Sequence, residues 1–330
     1  MKAIVYTQYG SPDVLRLQEI EQPVPKDNEV LVKIYAASAN PLDWHMMRGE
    51  PFLARLTAGL TKPRHTQLGA DFAGRIEAIG PNVTRLKVGD EVFGETGLEY
   101  LGAFADYACV PEEAAVVKPA NITFEQAAAV PVAAFTALQG LRDTGRIQAG
   151  QKVLVNGASG GVGTFAVQIA KSYGCEVTGV CSTRNLDMVR SIGADHVVDY
   201  TQEDFTNTGE KYDLIYCAIG NRSISDYMRA LKPQGICAIA GFTTLGLMFQ
   251  HLAIGPLRSK FSDKQVGMMG TAQANYNDLV IIADLLASGK VVPVIDRCYP
   301  LNETAEAIRY LETMRARGKV IISVAQNMAV

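Results

Sequence analysis

The chain has no C-x-x-C pair, and its six cysteines (Cys109, Cys175, Cys181, Cys217, Cys237, Cys298) are scattered, mostly through strand-like apolar runs. That pattern argues against a disulfide framework and points to reduced core thiols in a cytoplasmic protein. Histidine is scarce, and His45, His65, His196 and His251 make no metal-ligand spacing, so no metal is expected. No block of lysine or arginine stands out and the formal net charge is −3, which leaves no footprint for nucleic acid. The most apolar window, Gly241 to Leu257, is interrupted by Gln250, His251 and Pro256 and is short for a membrane span. The opening MKAIVYTQYG mixes charged and polar residues into its first ten positions, so no signal peptide is expected. What remains is a chain of 330 residues, 48% hydrophobic and 20% charged, enough to bury a full core and long enough for about two domains.

The most informative stretch is Lys152 to Gly174, KVLVNGASGGVGTFAVQIAKSYG. Val153, Leu154 and Val155 read as a short buried strand, and Phe165, Ile169 and Tyr173 stand at i, i+4 and i+8 of a following helix. Between them, Ala158 to Gly163 fits G-x-G-x-x-G with alanine first. Gly160 lets the backbone approach a pyrophosphate, Gly163 lets helix and strand pack closely, and the free N–H groups of the helix start attract the anion. A second strand, Glu176 to Cys181, completes the context that the motif requires.

Before this stretch the chain is rich in short strand-like runs: Lys2 to Tyr6, Val14 to Ile20, Glu29 to Ala36, Phe72 to Ile79, Glu91 to Phe93 and Tyr107 to Val110. Many short strands with Gly and Pro punctuation predict a barrel-like domain. An irregular segment is expected between Trp44 and Gln67, with Phe52, Leu53, Leu56 and Leu60 at helical spacing, either a lid or a packed helix. From Thr123, which caps a helix with Gln126 three residues on, the run through AAAVPVAAFTALQGL predicts a helix kinked at Pro131. Strands and helices then alternate as far as Val266 to Met269, which predicts a parallel sheet covered by helices on both faces. The tail reads as a helix (Tyr276 to Ser288), a strand (Val291 to Ile295), a capped helix (Asn302 to Arg317) and a last strand (Lys319 to Val324).

The motifs NPLDWHMMRGE (Asn40 to Glu50), LGADFAGRIEAIG (Leu68 to Gly80), VGDEVFG (Val88 to Gly94), GAFADYACVP (Gly102 to Pro111), PVAAFTALQGL (Pro131 to Leu141), NGASGGVG (Asn156 to Gly163) and RGKVIISV (Arg317 to Val324) span nearly the whole chain. Together they resemble a zinc-independent medium-chain dehydrogenase/reductase of the quinone oxidoreductase group. The resemblance implies an α/β protein: a GroES-like β-rich barrel domain from residues 1–122 and 299–330, and a Rossmann doubly wound parallel sheet, the NADP-binding domain, from residues 123–298. It also implies a homodimer.

Departures from the zinc alcohol dehydrogenases of the wider superfamily carry equal weight. Asn40 stands where those enzymes have a zinc-binding cysteine, Gly69-Ala70-Asp71 stands in place of a Gly-His-Glu element, and the Gly94 to Phe104 region lacks the four cysteines of a structural zinc loop. At the end of the second Rossmann strand the chain offers Ser182, Thr183 and Arg184, and the nearest acid, Asp187, lies inside the next helix. Hydroxyls and a cation suit a 2′-phosphate, so NADPH is expected over NADH. By position in the resemblance, Ser159, Gly161 and Val162 contact the pyrophosphate beside Gly160. Tyr200 lies by the adenosine phosphate, Asn221 and Phe242 lie along the ribose and nicotinamide, and Asn40 and Thr136 fall near the nicotinamide. Gly270, Ala272 and Arg315 are further cofactor candidates.

Without zinc there is no strong Lewis acid to polarise an alcohol or ketone. The expected acceptors are therefore quinones and α,β-unsaturated aldehydes or ketones, which take hydride at the β-carbon and leave an enolate that needs hydrogen-bond donors and a proton. Asn40 and His45 are the candidate donors, with Asp43 fixing the loop, and water remains an alternative proton source. Two other classes of function stay open on the sequence. One is an NADPH-binding protein of low turnover with a structural or regulatory role. The other is peripheral membrane contact through Leu245, Met248, Phe249, Leu252 and Leu257 followed by Arg258 and Lys260, whose duller reading is a pocket wall or a dimer contact.

Overall fold

In the computed structural model the described residues are 1–52, 55–97 and 100–324, with the side chains of 57, 257 and 259 also outside the description. Leu53, one of the residues at helical spacing above, falls outside it. The chain divides into two compact units, Met1–Val132 with Ala274–Ser288 and Pro293–Val330, and Ala133–Gln273 with Gly289–Val292.

The first unit is built on strands. Strands β1 (Lys2–Val5) and β2 (Arg16–Glu19) pair antiparallel. β3 (Glu29–Ala39), the long central strand, pairs with β4 (Asp71–Ile79) and β6 (Tyr107–Pro111), while β5 (Glu91–Glu95) joins β4 to β7 (Ala115–Val117). Its sequence EVLVKIYAASA is nearly all buried, and neighbouring strands pair with it on both edges. After β3, helix α1 (Pro41–Arg48) runs through Trp44 and His45, where an irregular segment was expected, followed by the short α2 (Arg55–Ala58). The reason is local: Pro41 sits in the first turn, Asp43 accepts the Asn40 N–H at 2.7 Å, and Gly49 closes the helix at φ +61°. Thr123 and Gln126 cap α3 (Phe124–Ala128) reciprocally, as expected. Pro131 does not kink one helix; it starts a second, α4 (Pro131–Gln139), because proline suits the first helical position.

The second unit has a six-stranded parallel sheet of β8 (Lys152–Asn156), β9 (Glu176–Cys181), β10 (His196–Asp199), β11 (Tyr212–Cys217), β12 (Leu231–Ile239) and β13 (Gln265–Met268). Its spatial order is β10-β9-β8-β11-β12-β13. That is the doubly wound order of a Rossmann fold, with the switch point between β8 and β11. Helices α5 (Gly161–Ser172), α6 (Leu186–Ser191), α7 (Ile224–Ala230) and α8 (Leu245–Lys260) complete it. On α8, Leu245, Phe249 and Leu252 are each about half exposed. No helix among the described residues is long and apolar enough to cross a membrane.

The chain then returns to the first unit with α9 (Tyr276–Ala287), β14 (Ile295–Pro300), α10 (Thr304–Glu312) and β15 (Lys319–Ser323), which pairs antiparallel with β3. The strand expected at Val291 to Ile295 lies later, and the helix expected to reach Arg317 stops at Glu312. The units also divide differently from 1–122 and 299–330 against 123–298. Phe124 of α3 stacks on Tyr35 of β3 at 4.6 Å, and Tyr276 of α9 lies 4.0 Å under the Arg85 guanidinium, so these flanking helices pack with the first unit. Cys175, Cys181, Cys217 and Cys237 are buried, Cys109 is half-buried and Cys298 is exposed; all six are free thiols.

Candidate functional site

In the second unit the carboxyl ends of the strands gather the cofactor candidates on one edge of the sheet. The chain leaves β8 through Gly157 at φ +84°, and Gly160 caps α5 in extended geometry. A Cβ on Gly163 would stand 2.0 Å from the Gly157 carbonyl oxygen, so only glycine allows the helix to start this close to the turn. A Cβ on Gly160 would meet nothing nearer than 3.5 Å, which leaves that side of the turn open to a ligand. Gly161 and Val162 form the first helical positions, where backbone N–H groups have no partner inside the helix.

Ser159 and Ser182 are joined by a residue that sequence reasoning missed. Asn185, buried between them, donates to the Ser159 Oγ at 3.0 Å and to the Ser182 Oγ at 3.3 Å, tying the glycine turn to the end of β9. Asp199 is a second such residue. It ends β10 opposite Cys181, accepts from the Thr183 hydroxyl, and accepts from the Thr201 amide and hydroxyl at 2.9 and 2.8 Å. The Thr183 hydroxyl, chief among these donors, holds its carboxyl below the usual range. Its charge is therefore turned toward threonines, and Arg184 follows directly in the short turn Thr183–Asn185. Tyr200, more than half exposed, follows β10. At the switch point Asn156 donates to the Asn221 Oδ1 at 3.0 Å. Phe242 bridges Gly220 and packs on His251 at 5.2 Å. Thr136 accepts from the Tyr216 hydroxyl through its backbone carbonyl, and Gly270 and Ala272 lie in the segment after β13. The fold thus brings Ser159, Gly160, Gly161, Val162, Ser182 and Arg184 into one contiguous turn-and-strand-end surface. A glycine cradle that a Cβ would fill, beside hydroxyls and a cation, fits a dinucleotide carrying a 2′-phosphate.

The first unit holds a buried polar cluster where β3, β4 and β15 meet α1. Asp43 is fully buried and accepts the backbone N–H groups of Asn40 and Gly69, at 2.7 and 2.9 Å; burial outweighs these bonds and pushes its carboxyl up to about 7. Asn40 donates both amide hydrogens internally, to Asp71 Oδ2 at 2.9 Å and to the Ser38 carbonyl at 3.3 Å. Its Oδ1 accepts from the Lys319 ammonium at 2.5 Å. Asp71 is saturated, accepting from Ser38 Oγ at 2.6 Å, from the Val132 amide at 2.8 Å and from Lys319 at 3.2 Å. Glu95 pairs opposite Asp71 across β4 and β5. His45 stacks on Trp44 at 3.6 Å and donates Nδ1–H to the Glu50 carbonyl at 2.8 Å, so its neutral ring presents Nε2 as an acceptor; burial lowers its pKa. Neither Asn40 nor neutral His45 keeps a spare N–H. Arg315 lies exposed on the loop between α10 and β15.

Lys319 is visible in sequence only as a member of RGKVIISV, yet its ammonium is the cation at the centre of this cluster. The donor set does not fit zinc: at Asn40 and Asp71 an amide and a saturated carboxylate surround a lysine, and no group of three His, Cys, Asp or Glu among the described residues is placed to hold a metal ion.

Comparison with known proteins agrees with this architecture. Residues 26–120 match the family described as alcohol dehydrogenase GroES-like domain, and residues 192–322 match that described as zinc-binding dehydrogenase. The chain is 36% identical to an NADPH-dependent alkenal/one oxidoreductase, chloroplastic, of Arabidopsis thaliana, over 98% of its own length and 79% of that protein. It is 35% identical to a 2-methylene-furan-3-one reductase of Solanum lycopersicum over the same shares. The solved quinone oxidoreductase of Coxiella burnetii superimposes with a TM-score of 0.85 at 29% identity, covering 98% of this chain and 99% of that one.

Proposed function

The chain belongs to the medium-chain dehydrogenase/reductase family, and from that premise we propose that it is an NADPH-dependent reductase acting on quinones or α,β-unsaturated carbonyls without zinc. The observation that carries the cofactor assignment is the end of β9, where Ser182, Thr183 and Arg184 stand beside the glycine turn and Asp199 is tied to Thr183 and Thr201. Ser159, Gly161 and Val162 would hold the pyrophosphate, Ser182 and Arg184 the 2′-phosphate, and Asn221 and Phe242 the nicotinamide half. Bound NADPH supplies the hydride. The protein supplies the rest: α5 presents its N-terminal N–H groups to the anion, and Asn156 fixes the Asn221 amide. Because the donor set at Asn40 and Asp71 does not suit zinc, acceptors whose conjugation already favours hydride addition are the ones expected.

The test is loss of NADPH absorbance with a panel of quinones and enals, with NADH run in parallel and a chelator added to one series. Chelator-resistant turnover preferring NADPH is the expected result. Tight NADPH binding with no acceptor reduced would overturn the reading and leave the low-turnover binding protein in its place. We further propose a homodimer, supported by β13 standing at the open edge of the six-stranded sheet and by the half-exposed Leu245, Phe249 and Leu252 nearby on α8, and a cytoplasmic location, supported by the six free thiols. A monomer in sedimentation equilibrium would refute the oligomeric part.

A further inference from the structure

We infer that Asn185 is a positioning residue of the cofactor site, which turns the hydroxyl protons of Ser159 and Ser182 outward as donors to the phosphates of the dinucleotide. The inference rests on the cofactor assignment above and deepens it. All three residues belong to the second unit. Asn185 stands at the N-cap of α6, where an asparagine ordinarily accepts an N–H of its own helix through Oδ1. It makes no such bond. Oδ1 is buried with no partner among the described residues, and the side chain, in a residue 5% exposed, turns its amide nitrogen to Ser182 and to Ser159, 26 residues earlier.

The amide is not needed to hold the turn in place. The Gly157 and Ala158 N–H groups donate to the Val180 carbonyl at 3.2 and 3.0 Å, which pins the turn to β9 through the backbone alone. An acceptor left buried and unpaired costs stability, so a side chain kept only for stability would be a poor choice here.

What the amide does control is the direction of two protons. A serine hydroxyl has one proton to donate and lone pairs with which to accept, whereas the amide nitrogen of asparagine only donates. Ser159 and Ser182 therefore meet Asn185 as acceptors, at 3.0 and 3.3 Å, and their own protons point elsewhere. Neither hydroxyl has a second partner among the described residues, and both serines are half-buried. Ser159 adjoins Gly160, beside which the turn is open. Thr183, next along from Ser182, has the opposite arrangement: its hydroxyl donates to the Asp199 carboxylate, so its proton is turned inward. An ionised phosphate offers acceptors only and is matched by the two serines rather than by Thr183. Ser159, in the glycine turn, serves the pyrophosphate common to NADH and NADPH. Ser182, at the end of β9, serves the 2′-phosphate that NADPH alone carries. The amide also polarises each hydroxyl, which strengthens the bond that the hydroxyl then donates.

The test compares the full-length parent with Asn185→Ala, Asn185→Leu, the double variant Ser159→Ala/Ser182→Ala, and Asn185→Leu placed in that double variant. Leucine fills the volume of asparagine without hydrogen bonding, so it keeps the test open where Asn185→Ala folds poorly. Measured are dissociation constants for NADPH and NADH by fluorescence titration, and the thermal midpoint of the cofactor-free protein. With one ordinary hydrogen bond at stake per oriented hydroxyl, both Asn185 variants should weaken NADH by about 5-fold and NADPH by about 25-fold. Asn185→Leu should keep the parent's thermal midpoint, which a structural tie would not allow. In the serine-free background the same change should alter either affinity by less than about 2-fold, because its effect runs through the two hydroxyls. A folded Asn185→Leu protein that binds NADPH within about 2-fold of the parent would overturn the inference, as would a loss equally large in the serine-free background; both outcomes leave the cofactor site in place. A parent that binds neither cofactor would overturn the cofactor assignment itself, and this inference with it.

Discussion

Replacing Glu95 by glutamine is expected to flatten the pH dependence of stability of the first unit. Glu95 is half-buried at the end of β5, opposite the Asp71 carboxylate. Burial, and after it the Asp71 charge, raise its carboxyl to about 8, with Lys319 acting in the opposite direction. In the unfolded chain a glutamate titrates at about 4.3, so between roughly pH 4.5 and 8 the folded state holds a proton that the unfolded state has released. Folding stability from this group is therefore complete below that window and is lost as pH rises through it. Two pH units inside the window correspond to at most about 2.7 kcal/mol, and solvent screening of a half-buried group reduces this to on the order of 1 kcal/mol. For a unit of this size that is a shift of about 2–4 °C in midpoint. The assay is thermal unfolding of cofactor-free protein at pH 5.5, 6.5 and 7.5 (chosen to lie about within the window), parent beside Glu95→Gln. The variant's advantage over the parent should be smallest at the lowest pH and largest at the highest. A variant that keeps the parent's slope would show that Glu95 is ionised in the folded state, and would refute the reasoning from burial. Asp43, raised to about 7 by burial, supplies the slope that remains in the variant.

Two substitutions in the glycine turn should separate folding from binding. Gly163→Ala places a Cβ 2.0 Å from the Gly157 carbonyl and should cost about 1–3 kcal/mol of stability by denaturant unfolding. Gly160→Ala meets nothing closer than 3.5 Å, so it should leave the unfolding midpoint unchanged while weakening NADPH binding in a fluorescence titration; equal effects on both properties would count against the assigned roles. At the end of β9, Arg184→Ala should raise KM for NADPH by about 10- to 100-fold, the value of one charged hydrogen bond, and leave KM for NADH nearly unchanged. Parallel losses with both cofactors would remove Arg184 from the 2′-phosphate site.

The parts of this protein that were legible in its sequence are those whose cause is local. The strand, turn and helix from Lys152 to Gly174 carry their own period and their own glycines, and the fold places them as read, with Gly163 against Gly157. The Thr123 and Gln126 cap is likewise complete within four residues. Where the causes lie far apart in the chain, local pattern misleads. β14, Ile-Asp-Arg-Cys-Tyr-Pro, is polar and partly exposed and is held as a strand by its pairing with β15, while the more apolar Val291 to Val294 before it is not a strand. Asn185 and Asp199 have no motif, and their role comes from the strand order that sets β8, β9 and β10 side by side. The cluster around Lys319 is the extreme case, since its bonds to Asp71 and Asn40 close over sequence separations of 248 and 279 residues. Family resemblance identifies Asn40 and Asp71 as places where metal ligands are absent. Only the pairing of β15 with β3 shows that a cation stands between them, because Val320 opposite Ala39 brings the neighbouring Lys319 side chain to Asn40. An absence read by position thus becomes, once the strands are paired, a buried lysine held between an amide oxygen and a carboxylate.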